Sequence, residues 1–224
     1  IVRFIPGGSL EEIVFYLNIL KIFQSMGIKV INTASSIECT VDKLYTSHLL
    51  NKNGIPTPKT YIFRGKERAK EFISKNNLSN GIVYKPLFGS QGDNIKLIKD
   101  LSDLEKVNNS SNIYYFQEYL DNDINHDYRV LILKNKYFYM TRYGNTFVNN
   151  FSKGGSCIKE DIDESIIDYA IKSSKLLNID FCGVDLMQYK KKIFVIEINS
   201  IPAWKGLQEV EEEIISEYFV KLLI

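Results

Sequence analysis

Apolar and polar positions along the chain switch repeatedly between the three-to-four-residue spacing of a helix and the alternation of a strand. Ser9 and Glu12 form a capping-box signature ahead of the apolar-rich run IVFYLNILKIFQSMG, and Gly27 stands where that helix should end. IKVIN then reads as a short strand, so residues 1 to 36 predict strand, helix, strand. A second helix is expected from Thr40 to Asn53, closed by Gly54. GIPTPKT predicts an extended connection, because a residue before proline avoids the helical region.

Beyond it, strand and helix patterns alternate: a strand at TYIF, a helix at KERAKEFISKN, a strand at GIVYKPL, a loop at FGSQGDN and a strand at IKLIK. A helix near LSDLEKV and a strand at IYYFQEYL follow. DYRVLILKNKYFYMTRYG predicts a hairpin turning at Lys134-Asn135-Lys136. DESIIDYAIKSSKLLN predicts a helix, FCGVDLMQYKKKIFVIEIN a second hairpin, and LQEVEEEIISEYFVKLLI a terminal amphipathic helix. Helices mixed with late antiparallel hairpins indicate an α+β fold.

Bulk properties narrow the chemistry little. The 224 residues suffice for one large domain or two small ones. A net charge of +1 gives no field that would argue for nucleic acid or a membrane surface. No apolar run approaches the roughly 20 residues of a membrane helix. Cys39, Cys157 and Cys182 are spaced as neither a disulfide framework nor a zinc site, which favours a reducing cytoplasm. The chain starts without Met and reads as the body of a longer protein. His48 and His126 belong to no recognisable nucleophile arrangement, and Cys157 reads as a small packed thiol.

The apolar strand KIFVIEIN ends in a carboxylate and an amide on one side. If KKK forms the turn, Tyr189 pairs with Ile193, Met187 with Val195 and Asp185 with Glu197. That register needs an odd-length loop, since a one-residue slip sends the acids to opposite faces. Asn199 shares the face of Glu197. Facing carboxylates repel, so a cation should lie between them. Two carboxylates and an amide are hard oxygen ligands suited to Mg²⁺. The plainer alternative is a hairpin with a solvated polar face.

Other residues carry weaker signals. Lys85 interrupts an apolar strand beside a loop in which Gly89 and Gly92 flank Ser90 and Gln91. Glycines let backbone N–H groups approach an anion, and a lysine supplies a point charge for phosphate. The alternative is a hairpin loop with a snorkelling lysine. Neither a Walker motif nor a G-x-G-x-x-G turn is present. Lys43 follows Asp42 at the start of a helix, where Asp42 could cap it or complement its dipole and Lys43 could simply be solvated. Glu118 and Tyr119 end a strand whose backbone could meet an adenine edge. Asp127 could accept from ribose hydroxyls or pair with Arg129 on the surface. Arg142, in an aromatic strand, calls for an anionic partner such as a phosphoryl group in transfer, or packs by its stem.

In order along the chain, VDK, YKPLFGSQG, FQEYL, HDYRV, TRYGN, NNFSKGG, GVDLM and EIN resemble the ATP-grasp superfamily, and within it the RimK-type amino-acid ligases. The resemblance covers residues 40 to 205. NSIPAWKGLQ and RFIPGGSLEE are similar to the subgroup that adds L-glutamate to tetrahydromethanopterin-like pterins. The resemblance implies two α+β subdomains gripping ATP. Residues 1–36 would be the remnant of an N-terminal α/β domain that is longer in the family. Residues 37–224 would form the ATP-grasp domain, with a smaller lid at 55–118 and a larger metal and substrate subdomain at 119–224.

Carried over residue by residue, the resemblance gives Lys43 and Lys85 to the ATP phosphates, with Ser90, Gln91 and Gly92 in the loop above them. Gln117, Glu118 and Tyr119 fall at the adenine hinge and Asp127 at the ribose. Arg142 would steady the transferring phosphoryl group together with Lys85, and Asn150 would lie near substrate or phosphates. Asp185, Glu197 and Asn199 would hold one or two Mg²⁺ ions, with Mn²⁺ as a substitute. Val148 departs from the basic residue that many members carry there. The implied activity joins an amino acid such as L-glutamate to the carboxylate of a pterin-like or peptide acceptor through an acyl phosphate. A ribosomal-protein or carrier-protein ligase, a phosphotransferase of the same fold and a non-catalytic nucleotide-binding module are the alternatives. Partners are then amino-acid and carboxylate substrates, without nucleic acid or membrane, and a homo-oligomer is left open.

Overall fold

The computed structural model describes residues 1–76, 78–89, 94–121, 126–144 and 155–221. Strand pairing sorts the chain into two antiparallel sheets. The first, in the order β1-β4-β2-β3, is built from Thr60–Arg64 (β1), Ile82–Lys85 (β2), Lys96–Ile98 (β3) and Ile113–Glu118 (β4). The second, in the order β7-β6-β5-β8-β9, contains His126–Leu133 (β5), Lys136–Tyr143 (β6), Ser156–Ile158 (β7), Phe181–Tyr189 (β8) and Lys192–Asn199 (β9). This is the expected α+β class, and both late hairpins form.

Each sheet buries one face beneath helices. Ala69 and Ile73 of α4 (Lys66–Lys75) and Leu104 of α5 (Leu101–Glu105) pack with Ile82, Tyr84, Ile98, Tyr114 and Phe116. Ile166 and Ala170 of α6 (Glu164–Leu176) pack on Tyr128, Val130, Ile132, Cys182, Val184 and Leu186 of the larger sheet. The opposite face changes character along its strands. It reads Leu133, Leu131, Arg129, Asp127 on β5 and Phe181, Gly183, Asp185 on β8. The apolar end is covered by Leu207, Ile215 and Phe219. The charged end carries the candidate site.

Several sequence expectations change. Neither strand expected in residues 1–36 forms, and the first late hairpin turns through Lys134-Asn135 alone, because Lys136 already pairs with Leu133. IKVIN forms no strand: Val2 N–H donates to the Ile31 carbonyl at 2.6 Å, but no ladder develops. Residues 28–32 are instead tied down through the Asn32 side chain. The helix expected at 40–53 begins only at Lys43 (α3, Lys43–Lys52), and a separate helix that the pattern did not predict, α2 (Ala34–Val41), ends just before it. Asp42 divides them, because its carboxylate accepts from the Leu44 and Tyr45 N–H groups at 3.0 and 3.1 Å. A side chain that caps a new helix competes with continuation of the old one. The terminal helix also divides, into α7 (Lys205–Gln208) and α8 (Ile215–Lys221). Glu209, Glu211, Glu212 and Glu213 repel at helical spacing, and the Gln208 carboxamide bridges the break to Glu213 and Ile215. Finally, β7 adds an edge strand that the pattern did not reveal. The predicted α1 (Leu10–Ser25) forms with its capping box from Ser9 and Glu12, and Gly27 follows at φ 79°.

Candidate active site

The acidic hairpin reaches the expected pairing by a different route. The turn is the two-residue Lys190-Lys191, at φ 48° and 64°, so Tyr189 pairs with Lys192, not Ile193. Gln188, Met187 and Leu186 then face Ile193, Phe194 and Val195. Left alone, that even-length turn would put the acids out of register. A bulge with Ile196 as the extra residue corrects it, and Asp185 pairs with Glu197. Val195 and Ile198, three residues apart, thereby join one core, while Glu197 and Asn199 turn to the other face.

On that face the charges form a row across the sheet. Arg129 lies opposite Asp185 and donates to it twice, from Nε to Oδ1 and from Nη2 to Oδ2, both at 2.7 Å. Arg142 lies opposite Asp127 and donates from Nε to Oδ1 at 2.5 Å. Arg142 Nη2 also lies 3.1 Å from Asp185 Oδ2. Arg142 is 2% exposed, Asp185 is buried beside it and Asp127 is partly buried. Burial opposes charge on Asp185, but the two guanidiniums outweigh it and hold the carboxyl down at about 2. Burial pushes Asp127 up to about 6, against the pull of Arg142. Burial also opposes charge on Arg142, and Asp185 and Asp127 keep its guanidinium firmly protonated.

Asp127 therefore partners Arg142 in the interior, where the surface alternative had paired it with Arg129. Arg129 was not singled out as a site residue. Its signal was the alternation in HDYRVLIL, which puts Arg129 on the face of Asp127.

The cations opposite this row come from elsewhere. Lys85 closes β2, and its Nζ donates to Gln117 Oε1 at 2.6 Å. Among the described residues no carboxylate lies within ion-pair distance of that amine. Burial lowers its pKa to about 8. Lys43 opens α3 directly after the Asp42 cap. Its Nζ donates to the carbonyls of Leu87 and Gly89 at 3.3 and 3.0 Å and lies 3.8 Å from Glu197. Burial lowers its pKa too, with Glu197 opposing. Lys43, Lys85, Glu197, Ser47 and Tyr115 line a small cavity where α3, the smaller sheet and β9 meet.

Of the expected site residues, Lys43, Lys85 and Glu197 line this cavity, Gln117 is bonded to Lys85, and Asp185 is near enough to act on the Lys85 charge, whereas Asn199 follows Glu197 on β9 and Asp127 and Arg142 lie further along the charged row of the larger sheet. Glu118 ends β4, and its N–H donates to the Lys59 carbonyl at 2.8 Å. Tyr119 continues the chain toward the larger sheet. Ser90, Gln91, Gly92 and Asn150 lie outside the described residues.

The donor set can be tested against a nucleotide and a divalent cation. Two partly buried amines with depressed pKa values fit a polyanion, which would relieve their desolvation. For the cation, a carboxylate offers about four lone pairs. Asp185 Oδ2 is occupied by both arginines, whereas Oδ1 takes a single donor and keeps one position. Asn199 Oδ1 accepts from the Ile201 N–H at 2.9 Å and likewise keeps one. The Glu197 side chain is 42% exposed and open to a ligand. No group of three or more His, Cys, Asp or Glu suited to a metal occurs among the described residues, so the set is two carboxylates and an amide. These are hard oxygen donors that fit Mg²⁺.

Comparison with known proteins decides the family. Residues 40–221 match the RimK-like ATP-grasp domain. The chain belongs to the RimK-like ATP-grasp family. Among curated relatives of this RimK-like chain, the tetrahydromethanopterin:alpha-L-glutamate ligase of Methanocaldococcus jannaschii is 30% identical over 94% of the chain and 75% of its own length. The coenzyme gamma-F420-2:alpha-L-glutamate ligase of Methanococcus maripaludis is 28% identical, covering 91% and 74%. The alpha-aminoadipate–LysW ligase LysX of Saccharolobus solfataricus is 26% identical, covering 88% and 75%. The ATP-grasp ligase PsnB, solved with its minimal precursor, Mg and ADP, superposes with a TM-score of 0.69 at 17% identity, over 95% of this chain and 68% of its own. The RimK-like chain is an enzyme of the ATP-grasp ligase class, whose members form amides from carboxylates and amines.

Proposed function

We propose that this ligase adds an amino acid such as L-glutamate to the carboxylate of a small, pterin-like acceptor, using ATP with Mg²⁺ or Mn²⁺. The observation that carries the reading is the convergence of two under-compensated amines, Lys43 and Lys85, with the Asp185–Glu197 pair at one junction. The glutamate ligases among its relatives support the amino acid and the acceptor class.

In this reading an acceptor carboxylate oxygen attacks the γ-phosphorus and the bond to the ADP oxygen breaks. The amine nitrogen then attacks the acyl carbon, phosphate leaves with the electron pair, and the amine loses a proton to solvent. Phosphorylation replaces an oxide leaving group by phosphate. Lys43 and Lys85 bind and neutralise the phosphates, and Arg142 holds the transferring group. Arg129 fixes the Asp185 carboxylate, and Asp185 Oδ1, Glu197 and Asn199 Oδ1 hold the cation, which supplies charge neutralisation. Gln117 orients Lys85, Glu118 and Tyr119 border the base, and Asp127 the ribose. Ser90, Gln91, Gly92 and Asn150 keep the loop roles expected of them.

The division into a lid at about 55–118 and a larger subdomain at about 119–224 is supported by the two sheets and their separate cores. Three free thiols and the use of ATP favour the cytoplasm. No helix among the described residues is long and apolar enough to cross a membrane. The LysX relatives favour a carrier-protein acceptor as the second reading. Incubation with ATP, Mg²⁺, each amino acid and a panel of pterin, peptide and carrier-protein carboxylates tests both. ADP release that requires an amino acid, with the matching mass increase on one acceptor, is the expected result. ATP turnover without an amide product would remove the ligase reading.

A further inference from the structure

Residues 1–39 precede the stretch that matches the family, yet they reach the scaffold of the site. Asn32 is 3% exposed. Its Nδ2 donates to the Phe181 carbonyl at 2.5 Å and the Ser200 carbonyl at 2.7 Å, and its Oδ1 accepts from the Phe181 N–H at 3.1 Å. Phe181 opens β8 and Ser200 follows the last residue of β9. The final rung between these strands joins Gly183 and Asn199. The Asn32 carboxamide stands where the next rung would fall and bridges the two strands there. It supplies partners to buried backbone groups that would otherwise be costly.

Further ties converge on the same segment. The Thr40 hydroxyl donates to Ser200 Oγ at 2.7 Å. Arg3 donates to the Pro202 carbonyl at 3.1 Å, with its guanidinium 4.3 Å from the Trp204 ring centre. Pro202 lies against Gly183, where a Cβ would meet the proline ring at 3.0 Å and Arg129 Nε at 3.8 Å. The Asn199 side chain, held by the Ile201 N–H, sits inside this braced turn. Its aim therefore depends on the backbone of residues 199–201, which Asn32 holds at the Ser200 carbonyl and Thr40 at the Ser200 hydroxyl.

We infer that Asn32 is a positioning residue for the cation site: its carboxamide fixes the separation of β8 and β9 where it bridges Phe181 and Ser200, next to Asn199 and further along the ladder from Asp185 and Glu197. This rests on the proposed cation role of Asp185, Glu197 and Asn199. The physical ground is general, since losing a group that orients a metal ligand typically costs about 10–100-fold in metal affinity.

The test uses Mn²⁺ as probe, with binding to the ADP complex followed by the electron paramagnetic resonance of the free aquo ion. Asn32→Asp keeps the shape but sets a carboxylate against two carbonyls. Its Mn²⁺ affinity should fall about tenfold, the scale of such outer-shell changes, with ADP affinity in metal-free buffer unchanged. Thr40→Val, nearly isosteric, should shift affinity the same way by a smaller factor. Asn199→Ala separates the two ideas. Wild-type Mn²⁺ affinity in Asn199→Ala defeats the cation reading itself. A loss there, with wild-type affinity in folded Asn32→Asp and in Thr40→Val, overturns only the positioning role. An equal loss of metal-free ADP binding in Asn32→Asp also overturns it, because the damage is then general. Should Asn32→Asp not fold, Thr40→Val decides the question alone.

Discussion

The two charged regions that meet at the junction are solved differently. On the larger sheet, Arg142, Asp127, Arg129 and Asp185 neutralise one another through short, partly bidentate contacts in a buried row. On the other side, Lys43 and Lys85 rest on carbonyl and amide oxygens, and burial depresses their pKa values. The first arrangement pairs each charge with an opposite one inside the protein and leaves Asp185 Oδ1 with one open position. The second leaves positive charge under-compensated, and an anionic ligand supplies what the fold withholds. Stability and binding should therefore respond in opposite ways to substitutions in the two regions.

The largest effect is expected in the arginine row. Arg129→Met leaves Asp185 buried with half its partners, and removing one member of a buried pair costs about 3–5 kcal/mol. Urea denaturation measures this, and a loss below about 1 kcal/mol, the scale of an exposed pair, would show the row to be solvated. Asp185→Asn comes next. It should abolish turnover and also lower the unfolding midpoint, because two guanidiniums lose a shared anion. An unchanged midpoint would put the arginines elsewhere.

At the lysines the sign reverses. Lys85→Met should weaken nucleotide binding about tenfold or more, the scale of a hydrogen bond to a charged group. It should at the same time raise stability near neutral pH. Because the folded-state pKa of Lys85 is lowered to about 8, its burial penalty is fully present below pH 8. The penalty is relieved as pH rises from about 8 toward the ordinary lysine value, so the stability gap between variant and wild type should close there. Wild-type nucleotide affinity should fall as pH rises through the same window, measured by isothermal titration, and Lys85→Arg should flatten the fall. A pH-independent affinity in the wild type would remove Lys85 from the phosphates. The smallest effect is expected for Tyr115→Phe. It removes the 2.9 Å contact with Ser47 that ties the smaller sheet to α3, at about 1 kcal/mol.

Legibility in the sequence followed the range of the interaction. The capping box of α1, the alternation of β5 and β6 and the helix at α6 are local patterns, and each appears where expected. The second helix was misread because Asp42 can either continue a helix or cap a new one, and spacing alone does not say which. The pairing of Asp185 with Glu197 was anticipated through a three-residue turn that does not exist. Positive φ at Lys190 and Lys191 gives the tight turn, and the bulge at Ile196 restores the register. The shorter turn and the bulge offset one another, so the two acids still face across the hairpin.

Arg129 shows the limit most plainly. Its alternation with Asp127 was visible, but its partner lies 56 residues away across a strand pair. Local pattern by itself determined α1, α4, α6, the strands of the smaller sheet and the faces of the two late hairpins, and the ordered motifs carried the resemblance to the family. Which charges neutralise one another, which are left wanting an anion, and that Asn32 and Thr40 brace the end of β9 were decided only when the chain closed on itself. The reason is physical: secondary-structure pattern is written in neighbours a few residues apart, whereas the energy of a charge depends on the burial and partners that distant segments bring to it.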